Sequence, residues 1–229
     1  QAGAHSADVL MVDGTSVSID VREGELEHAE RAEGVDVGLR VIQGDQQASV
    51  SISDLSKNAM EQMAERCIAM ANEAPRDPYC GLATSQEFAA DWNAEQLELF
   101  DASPAPTAEY LKEMAARAEA SALSIKGVSK AQGASSSLSD MSIHLATSNG
   151  FSGGYRRTSH SISCVAISGE GLNMERDWCG ESHSHYGAVP TPEEIGCLAG
   201  ERAVARAGAV RPPTGFFPVL FDERVSSSL

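Results

Sequence analysis

The chain opens with alternating apolar and polar positions. Such alternation predicts strands, because successive side chains of a strand point to opposite faces of a sheet. Asp13-Gly14, Glu23-Gly24 and Gln43-Gly44-Asp45 interrupt the alternation and are typical turn sequences. Residues 8–52 therefore predict an antiparallel meander of four short strands. Their apolar positions are Val9 and Met11; Val17, Ile19 and Val21; Val35, Val37, Leu39 and Val41; and Ala48, Val50 and Ile52.

Apolar residues then recur every three or four positions, which is the period of a helix packed on one side. Ser56 is a suitable N-cap for the first helix, which ends before Pro75. Four prolines predict that residues 74–106 are irregular, and Thr107 begins a second helix. The two apolar stripes are Met60, Met63, Ala64, Cys67, Ile68 and Ala71, and then Tyr110, Leu111, Met114, Ala115 and Ala118.

The strand pattern returns after about residue 121. The serine-rich stretch Ala134–Ser139 is interpreted as a turn or loop, and Gly169-Glu170-Gly171 as a hairpin turn. The predicted strands contain Leu123 and Ile125; Ile143 and Leu145; Ile162, Cys164 and Ala166; and a returning stretch from Leu172 to Tyr186.

A third helix begins at Thr191, since an N-cap threonine, Pro192 and Glu194 form a capping box. A last strand is predicted over Phe216–Phe221. This order of elements predicts an α+β fold, an antiparallel sheet or sheets with helices packed on one face. We expect an N-terminal unit over residues 1–122 and a second strand-rich part over 123–229. A sheet shared by the two parts is compatible with the pattern.

The composition narrows the possible partners. The net charge of −16 repels phosphate backbones and anionic lipid, so neither direct nucleic-acid binding nor membrane docking is expected. No apolar run approaches the roughly 20 residues of a membrane span. Five cysteines without a C-x-x-C spacing predict free thiols in a reducing compartment, the cytoplasm. The chain starts without methionine and stops soon after Phe221, so we expect a piece of a longer protein with a further domain.

The histidines do not form a metal motif. His183 and His185 would share one face of a strand with Glu181, which is weak support for a metal site against a plain surface strand. No H-E-x-x-H spacing occurs in the chain. The sequence therefore predicts no metal ligand.

A serine-nucleophile motif is present only formally. Residues 150–154 match G-x-S-x-G around Ser152, with Asp140, His144 and His160 nearby in the sequence. A nucleophile elbow needs a helix after the serine, whereas the following residues have a strand pattern. A wide turn between strands explains the glycines better, so no catalytic residue is predicted.

Arg156 and Arg157 are an unusual basic pair in this acidic chain. Adjacent strand residues point to opposite faces, so one arginine can bind a carboxylate on the core side. The other would then be free for a partner or a peptide carboxylate, and an ordinary surface pair is the alternative. With Asn149 and Gly150 in the preceding turn, these residues are our predicted peptide or subunit contact.

Four stretches together resemble the TldD/PmbA family, specifically its PmbA (TldE) branch, and they occur in the family's order. They are residues 38–44 with 47–51, residues 74–83 (Ala-Pro-Arg-Asp-Pro-Tyr-Cys-Gly-Leu-Ala), residues 145–161 (Leu-Ala-Thr-Ser-Asn-Gly-Phe-Ser-Gly-Gly-Tyr-Arg-Arg-Thr-Ser-His-Ser) and residues 200–206. The resemblance implies the N-terminal half of a subunit that pairs with a TldD-type subunit in a cytosolic metalloprotease. Such enzymes are associated with peptide maturation, antitoxin degradation and a label as modulators of DNA gyrase.

The family's zinc motif, of the H-E-x-x-x-H kind, belongs to the TldD-type subunit and lies in its C-terminal half; it is absent from this sequence. The resemblance therefore implies no cofactor in this chain and zinc in a partner. We expect a non-catalytic half-subunit that supports a TldD-type partner, or forms a homodimer, and handles a peptide substrate. One alternative is a binding module that modulates DNA gyrase or its inhibitors without proteolysis. Another is a peptidase acting alone through an unrecognised site.

Overall fold

The structure is a computed structural model that describes residues 3–89 and 94–226, with the side chain of residue 95 left out. Its strands are β1 (Ser6–Arg22), β2 (Glu25–Gln43), β3 (Gln46–Ile52), β4 (Val128–Thr147), β5 (Ser152–Ser168) and β6 (Glu175–His183). Its α-helices are α1 (Lys57–Glu73), α2 (Ala108–Ser124), α3 (Pro192–Ala205) and the short α4 (Glu223–Ser226). Single 3₁₀ turns lie at Ala94–Leu97, Gly171–Asn173 and Tyr186–Ala188.

The six strands form one antiparallel sheet in the order β3-β2-β1-β4-β5-β6. Two meanders, β1-β2-β3 and β4-β5-β6, meet where β1 pairs with β4, and each is followed by a helix. Since β3 pairs only with Val37–Gln43 and β6 only with His160–Ser168, the two outer strands lie at opposite ends of the sheet. The α+β prediction is confirmed, whereas the division near residue 122 stays a prediction.

All three long helices pack on the same face of the sheet, which we call the helix face. Val9 packs against the cluster of buried residues beneath α1, and Ile19 and Val21 belong to the cluster beneath α2 and α3. These odd-numbered residues share one strand and therefore one face. The even-numbered residues of β1 and their cross-strand partners point to the other side, which we call the open face.

The helix starts agree with their sequence signals. Ser56 and Thr107 accept hydrogen bonds from the backbone N–H groups of Ala59 and Tyr110, at 3.3 and 3.2 Å. Thr191 and Glu194 form the predicted capping box at the start of α3. The three predicted helix starts are thus confirmed. The sequence could predict them because capping depends on residues only three positions apart in the chain.

The predicted turn at Asp13-Gly14 is wrong, because β1 runs through it without a break. Both neighbouring strands pair with β1 at this point, where Gly14 faces Gly34 on one side and Met141 on the other. A β-carbon on Gly14 would lie 3.1 Å from the carbonyl oxygen of Asp140. The glycine therefore allows β4 to approach closely, and the first meander has three strands instead of four.

Three further predictions are wrong. Leu123 lies in α2 and Ile125 is its C-cap, so they do not begin a strand. Ala134–Ser139 belongs to β4, where backbone hydrogen bonds to β1 on one side and β5 on the other outweigh the weak strand preference of serine. Phe216–Phe221 has no regular structure. No strand pairs with it among residues 3–89 and 94–226. Its backbone groups therefore lack the ladder that a strand needs.

The five cysteines are free, and Cys67, Cys164 and Cys179 are buried. Burial raises the pKa of the Cys164 thiol to about 12, so this thiol stays protonated and unreactive. In the described part of the chain, no helix has the length and apolar character needed to cross a membrane.

Candidate functional site

The turn between β4 and β5 contains the first two residues of the predicted contact site. The N–H of Thr147 donates to the carbonyl of Phe151 at 2.9 Å, which closes the turn. Asn149 accepts a 2.6 Å hydrogen bond from the Thr147 hydroxyl and donates a 2.8 Å bond to the carbonyl of Ala83. Gly150 has φ +102°, a value that favours glycine. Both residues thus stabilise the turn and the segment beside it.

Arg156 lies on the helix face and is already paired. Its Nε donates to Asp140 Oδ1 at 2.8 Å and its Nη2 to Asp140 Oδ2 at 2.5 Å. The guanidinium also stacks over the Phe100 ring, 4.1 Å from the ring centre. The hydrogen bonds to Asp140 raise the pKa of Arg156. This arginine therefore fixes the approach of residue 100 to the sheet.

Arg157 points to the open face and is exposed. Its guanidinium forms no hydrogen bond or ion pair with any residue that the structure describes. Its cross-strand neighbour is Met141 on β4. Of the four predicted contact residues, Arg157 is the one whose charged group is available to another molecule. Its contact role stays a prediction.

An apolar groove lies on the open face beside Arg157. It encloses a cavity of about 500 Å³. Two cross-strand rows form its floor, one running from Leu10 through Leu145 and one from Val12 through Ile143 to Tyr155. Its lining residues are Leu10, Val12, Ala89, Ile143, Leu145, Phe151, Gly153, Gly154 and Tyr155. Sequence analysis missed this groove because its residues come from three strands.

Serines cover the centre of the open face. Their hydroxyls bond across strands, Ser137 with Ser161 at 2.7 Å and Ser159 with Ser182 at 2.9 Å. The sheet therefore presents a polar surface on the side away from the helices. The set consists of Ser16, Ser18, Ser135, Ser137, Ser139, Ser159, Ser161, Ser163 and Ser182.

The G-x-S-x-G stretch has no nucleophile elbow, since Ser152 begins β5 and a strand follows it. His144 Nε2 does lie 3.0 Å from the Ser152 hydroxyl. The carboxylate of Asp140, however, is bound by Arg156, and His160 lies buried beside Asp101. The structure therefore does not assemble these residues into a triad.

A buried polar cluster surrounds Asp101, and sequence analysis missed it. Asp101 accepts a 2.8 Å hydrogen bond from the N–H of Tyr186. His160 Nε2 and His185 Nδ1 lie 3.8 and 3.9 Å from its two carboxylate oxygens. Hydrogen bonds from Ser103 and then from Tyr186 hold the pKa of Asp101 well below its usual range. The cluster fastens the segment before α2 to β5 and to the connection between β6 and α3.

This cluster does not form a recognisable metal centre. Burial lowers the pKa of His160, whose two ring nitrogens have no hydrogen-bond partner in the described structure. His185 lies beyond the end of β6, so it does not share a strand face with His183 as predicted. In residues 3–89 and 94–226, no three His, Cys, Asp or Glu side chains are arranged to hold a metal ion.

Two models of one protein family together match most of the chain. The family model described as PmbA/TldA metallopeptidase domain 1 covers residues 7–71, and the one described as its central domain covers residues 97–207. The Metalloprotease PmbA of Escherichia coli O157:H7 is 30% identical over 97% of this chain and 49% of its own length. The Metalloprotease PmbA homolog of Haemophilus influenzae is 28% identical over 100% of this chain and 50% of its own length.

Solved structures share the fold. A Bacteroides thetaiotaomicron protein described as a candidate modulator of DNA gyrase has a TM-score of 0.80 at 21% identity, over 92% of this chain and 48% of that one. TldE of Thermococcus kodakarensis has a TM-score of 0.65 at 12% identity, over 87% and 44% of the two chains. The chain spans about half the length of the relatives that it matches.

Proposed function

The chain belongs to the PmbA/TldD family and corresponds to the N-terminal half of its members. We propose that it is part of a non-catalytic, PmbA/TldE-type subunit of a metallopeptidase assembly. The assembly matures or degrades peptides in the cytoplasm, and a TldD-type partner carries the zinc. The metallopeptidase family to which domain 1 belongs supports the reaction class. The 30% identity to a PmbA protein supports the PmbA-type assignment, and it is this assignment that motivates a partner with the zinc.

A group of exposed apolar residues near the end of the chain is the observation that supports assembly with another subunit. Leu220 is 98% exposed, Val219 67% and Phe217 54%. The segment is held at both ends, since Arg206 and Arg224 bind opposite oxygens of Asp177 at 3.5 and 2.9 Å. A concentrated apolar segment on the surface marks a contact, either with another subunit or with the half of the full-length protein that the relatives have in addition.

The charge of the chain supports a peptide substrate. A net charge of −16 attracts basic, unfolded peptides and repels DNA. We propose that the subunit helps to enclose such a peptide, next to a TldD-type subunit or a second copy of itself.

The test uses the full-length protein, with and without a TldD-type partner, together with zinc and an unfolded basic peptide. The proposal expects cleavage only when the partner and zinc are both present. Cleavage by the lone chain would show that the subunit is catalytic and would overturn the proposal. Absence of cleavage with partner and zinc would contradict the peptidase function.

A matched pair of variants tests the contact surface. Leu220→Ser removes apolar surface from the proposed contact, and Leu172→Ser changes an equally exposed leucine on the β5–β6 connection. We expect Leu220→Ser to weaken co-purification of the partner about tenfold, the effect of losing one buried leucine side chain. The Leu172→Ser control should be recovered like the unmodified protein, and equal losses in both would remove this support.

A second candidate function is modulation of DNA gyrase without proteolysis. It is favoured by the fold shared with the Bacteroides protein described as a candidate modulator of that enzyme. A supercoiling assay with gyrase and a peptide inhibitor, in the absence of zinc and partner, tests it. Restoration of supercoiling by the lone full-length protein would favour this function over proteolysis.

A further inference from the structure

We propose that the apolar groove and Arg157 form a binding site for the free C-terminal carboxylate of a peptide whose last residue is apolar. The proposal rests on the proposed function, because it names the class of peptide that the subunit would hold. The apolar side chain would lie in the groove and the carboxylate would meet the guanidinium.

The spacing of the cross-strand rows allows both contacts at once. Val12, Ile143 and Tyr155 form one row of the groove, and Met141 and Arg157 form the next row along the same face. Residues two apart on a strand lie about 7 Å from each other. The long arginine side chain can therefore reach over the Tyr155 end of the groove, within a few ångströms of a residue bound there.

The donors in this region are uncommitted. Neither the Arg157 guanidinium nor the Tyr155 hydroxyl has a hydrogen-bond partner among the residues that the structure describes, whereas the Arg156 guanidinium is held by Asp140. The acidic residue in the Tyr155 row is Asp36, three strand spacings away, or about 14 Å. A cation that no described residue compensates and that lies beside apolar surface favours a carboxylate, which arginine binds with two parallel hydrogen bonds.

The surroundings favour the end of a chain over an internal acidic residue. Beyond the row of Arg157, the open face continues with Ser139 and Ser159 and then with further serines. A ligand that continued past the guanidinium would find no more apolar contacts there. The groove itself spans only two rows, which is room for one or two side chains.

The experiment measures binding of a short fluorescent peptide ending in Leu-Leu to the full-length protein by anisotropy, without zinc or partner. The acid should bind, and its C-terminal amide should bind about tenfold more weakly or worse, the effect of losing hydrogen bonds to a charged group. Binding of the acid should also weaken with added salt. Equal binding of acid and amide would overturn the proposal.

Variants assign the effect to the site. Arg157→Gln should weaken binding of the acid about tenfold and leave the amide unchanged, and Tyr155→Phe should act in the same direction more weakly. Arg211→Gln, which changes an exposed arginine outside the groove, should have no effect. Unchanged far-UV circular dichroism melting would show that the variants are folded.

A third peptide separates two sources of the carboxylate. It carries an amidated end and an internal aspartate two residues after a leucine. Binding as tight as that of the free acid would replace the C-terminal assignment by an internal one. Because these measurements involve no cleavage, failure here leaves the peptidase test unaffected, and failure of the peptidase test leaves peptide binding measurable.

Discussion

Glu119 provides the sharpest test of how the helices hold the sheet. This glutamate is only 2% exposed on α2, and its carboxylate accepts hydrogen bonds from the N–H groups of Glu23 and Gly24 at 2.9 and 2.8 Å. Those residues form the β1–β2 turn and have φ of +54° and +76°. The side chain therefore stabilises a turn that a non-glycine residue adopts only at a cost.

The substitution Glu119→Gln should lower the free energy of unfolding by about 2–4 kcal/mol. A hydrogen bond to a charged acceptor contributes about 1.5–3 kcal/mol, and a neutral one about 1 kcal/mol. Glutamine keeps one acceptor oxygen and turns an amide NH₂ group toward the second N–H. One charged bond is therefore lost and the other becomes a neutral bond.

Urea unfolding followed by far-UV circular dichroism measures this change, with Glu113→Gln as the control. Glu113 lies on the same helix, its side chain is 62% exposed, and its ion pair with Arg117 spans 3.8 Å. An exposed pair of this kind contributes about 0.5 kcal/mol or less. If the two variants unfold at the same urea concentration, the carboxylate does not stabilise the turn and the reasoning is wrong.

Two further predictions concern helix packing and pH. Gly196→Ala should destabilise the fold by about 1–3 kcal/mol in the same assay, because the new β-carbon would lie 2.0 Å from the carbonyl oxygen of Ala118. The control is Gly187→Ala, which has open space around the new β-carbon and should change the free energy of unfolding by no more than about 0.5 kcal/mol. A lowered pKa in the folded state means that Asp101 contributes stability above its unfolded pKa of about 4 and loses it as pH falls through the folded value. The difference in urea midpoint between Asp101→Asn and the unmodified protein should therefore shrink between about pH 5 and pH 2. A difference that does not change with pH would show that Asp101 acts only as a hydrogen-bond acceptor.

The two arginines of the candidate site show what the alternating pattern of a strand can predict and what it cannot. Period-two alternation places Arg156 and Arg157 on opposite faces, and the structure has them there. The pattern does not say which arginine finds a carboxylate. That choice depends on Asp140, which is sixteen positions away and reaches Arg156 only because β4 and β5 pair.

Local chemistry by itself determined the helix starts, the apolar stripes of α1 and α2 and the turns at Gly24 and Gly44. These features depend on residues within one or two helical turns or one hairpin. The α+β class followed from their order along the chain.

Only the tertiary structure decided that β1 continues through Gly14, that the serine stretch in β4 is a strand and that Phe216–Phe221 is not. A strand exists where its backbone groups find ladder partners, and those partners lie far away in the sequence. The same long-range pairing places Tyr155 and Arg157 beside the apolar groove, which no single stretch of the sequence contains.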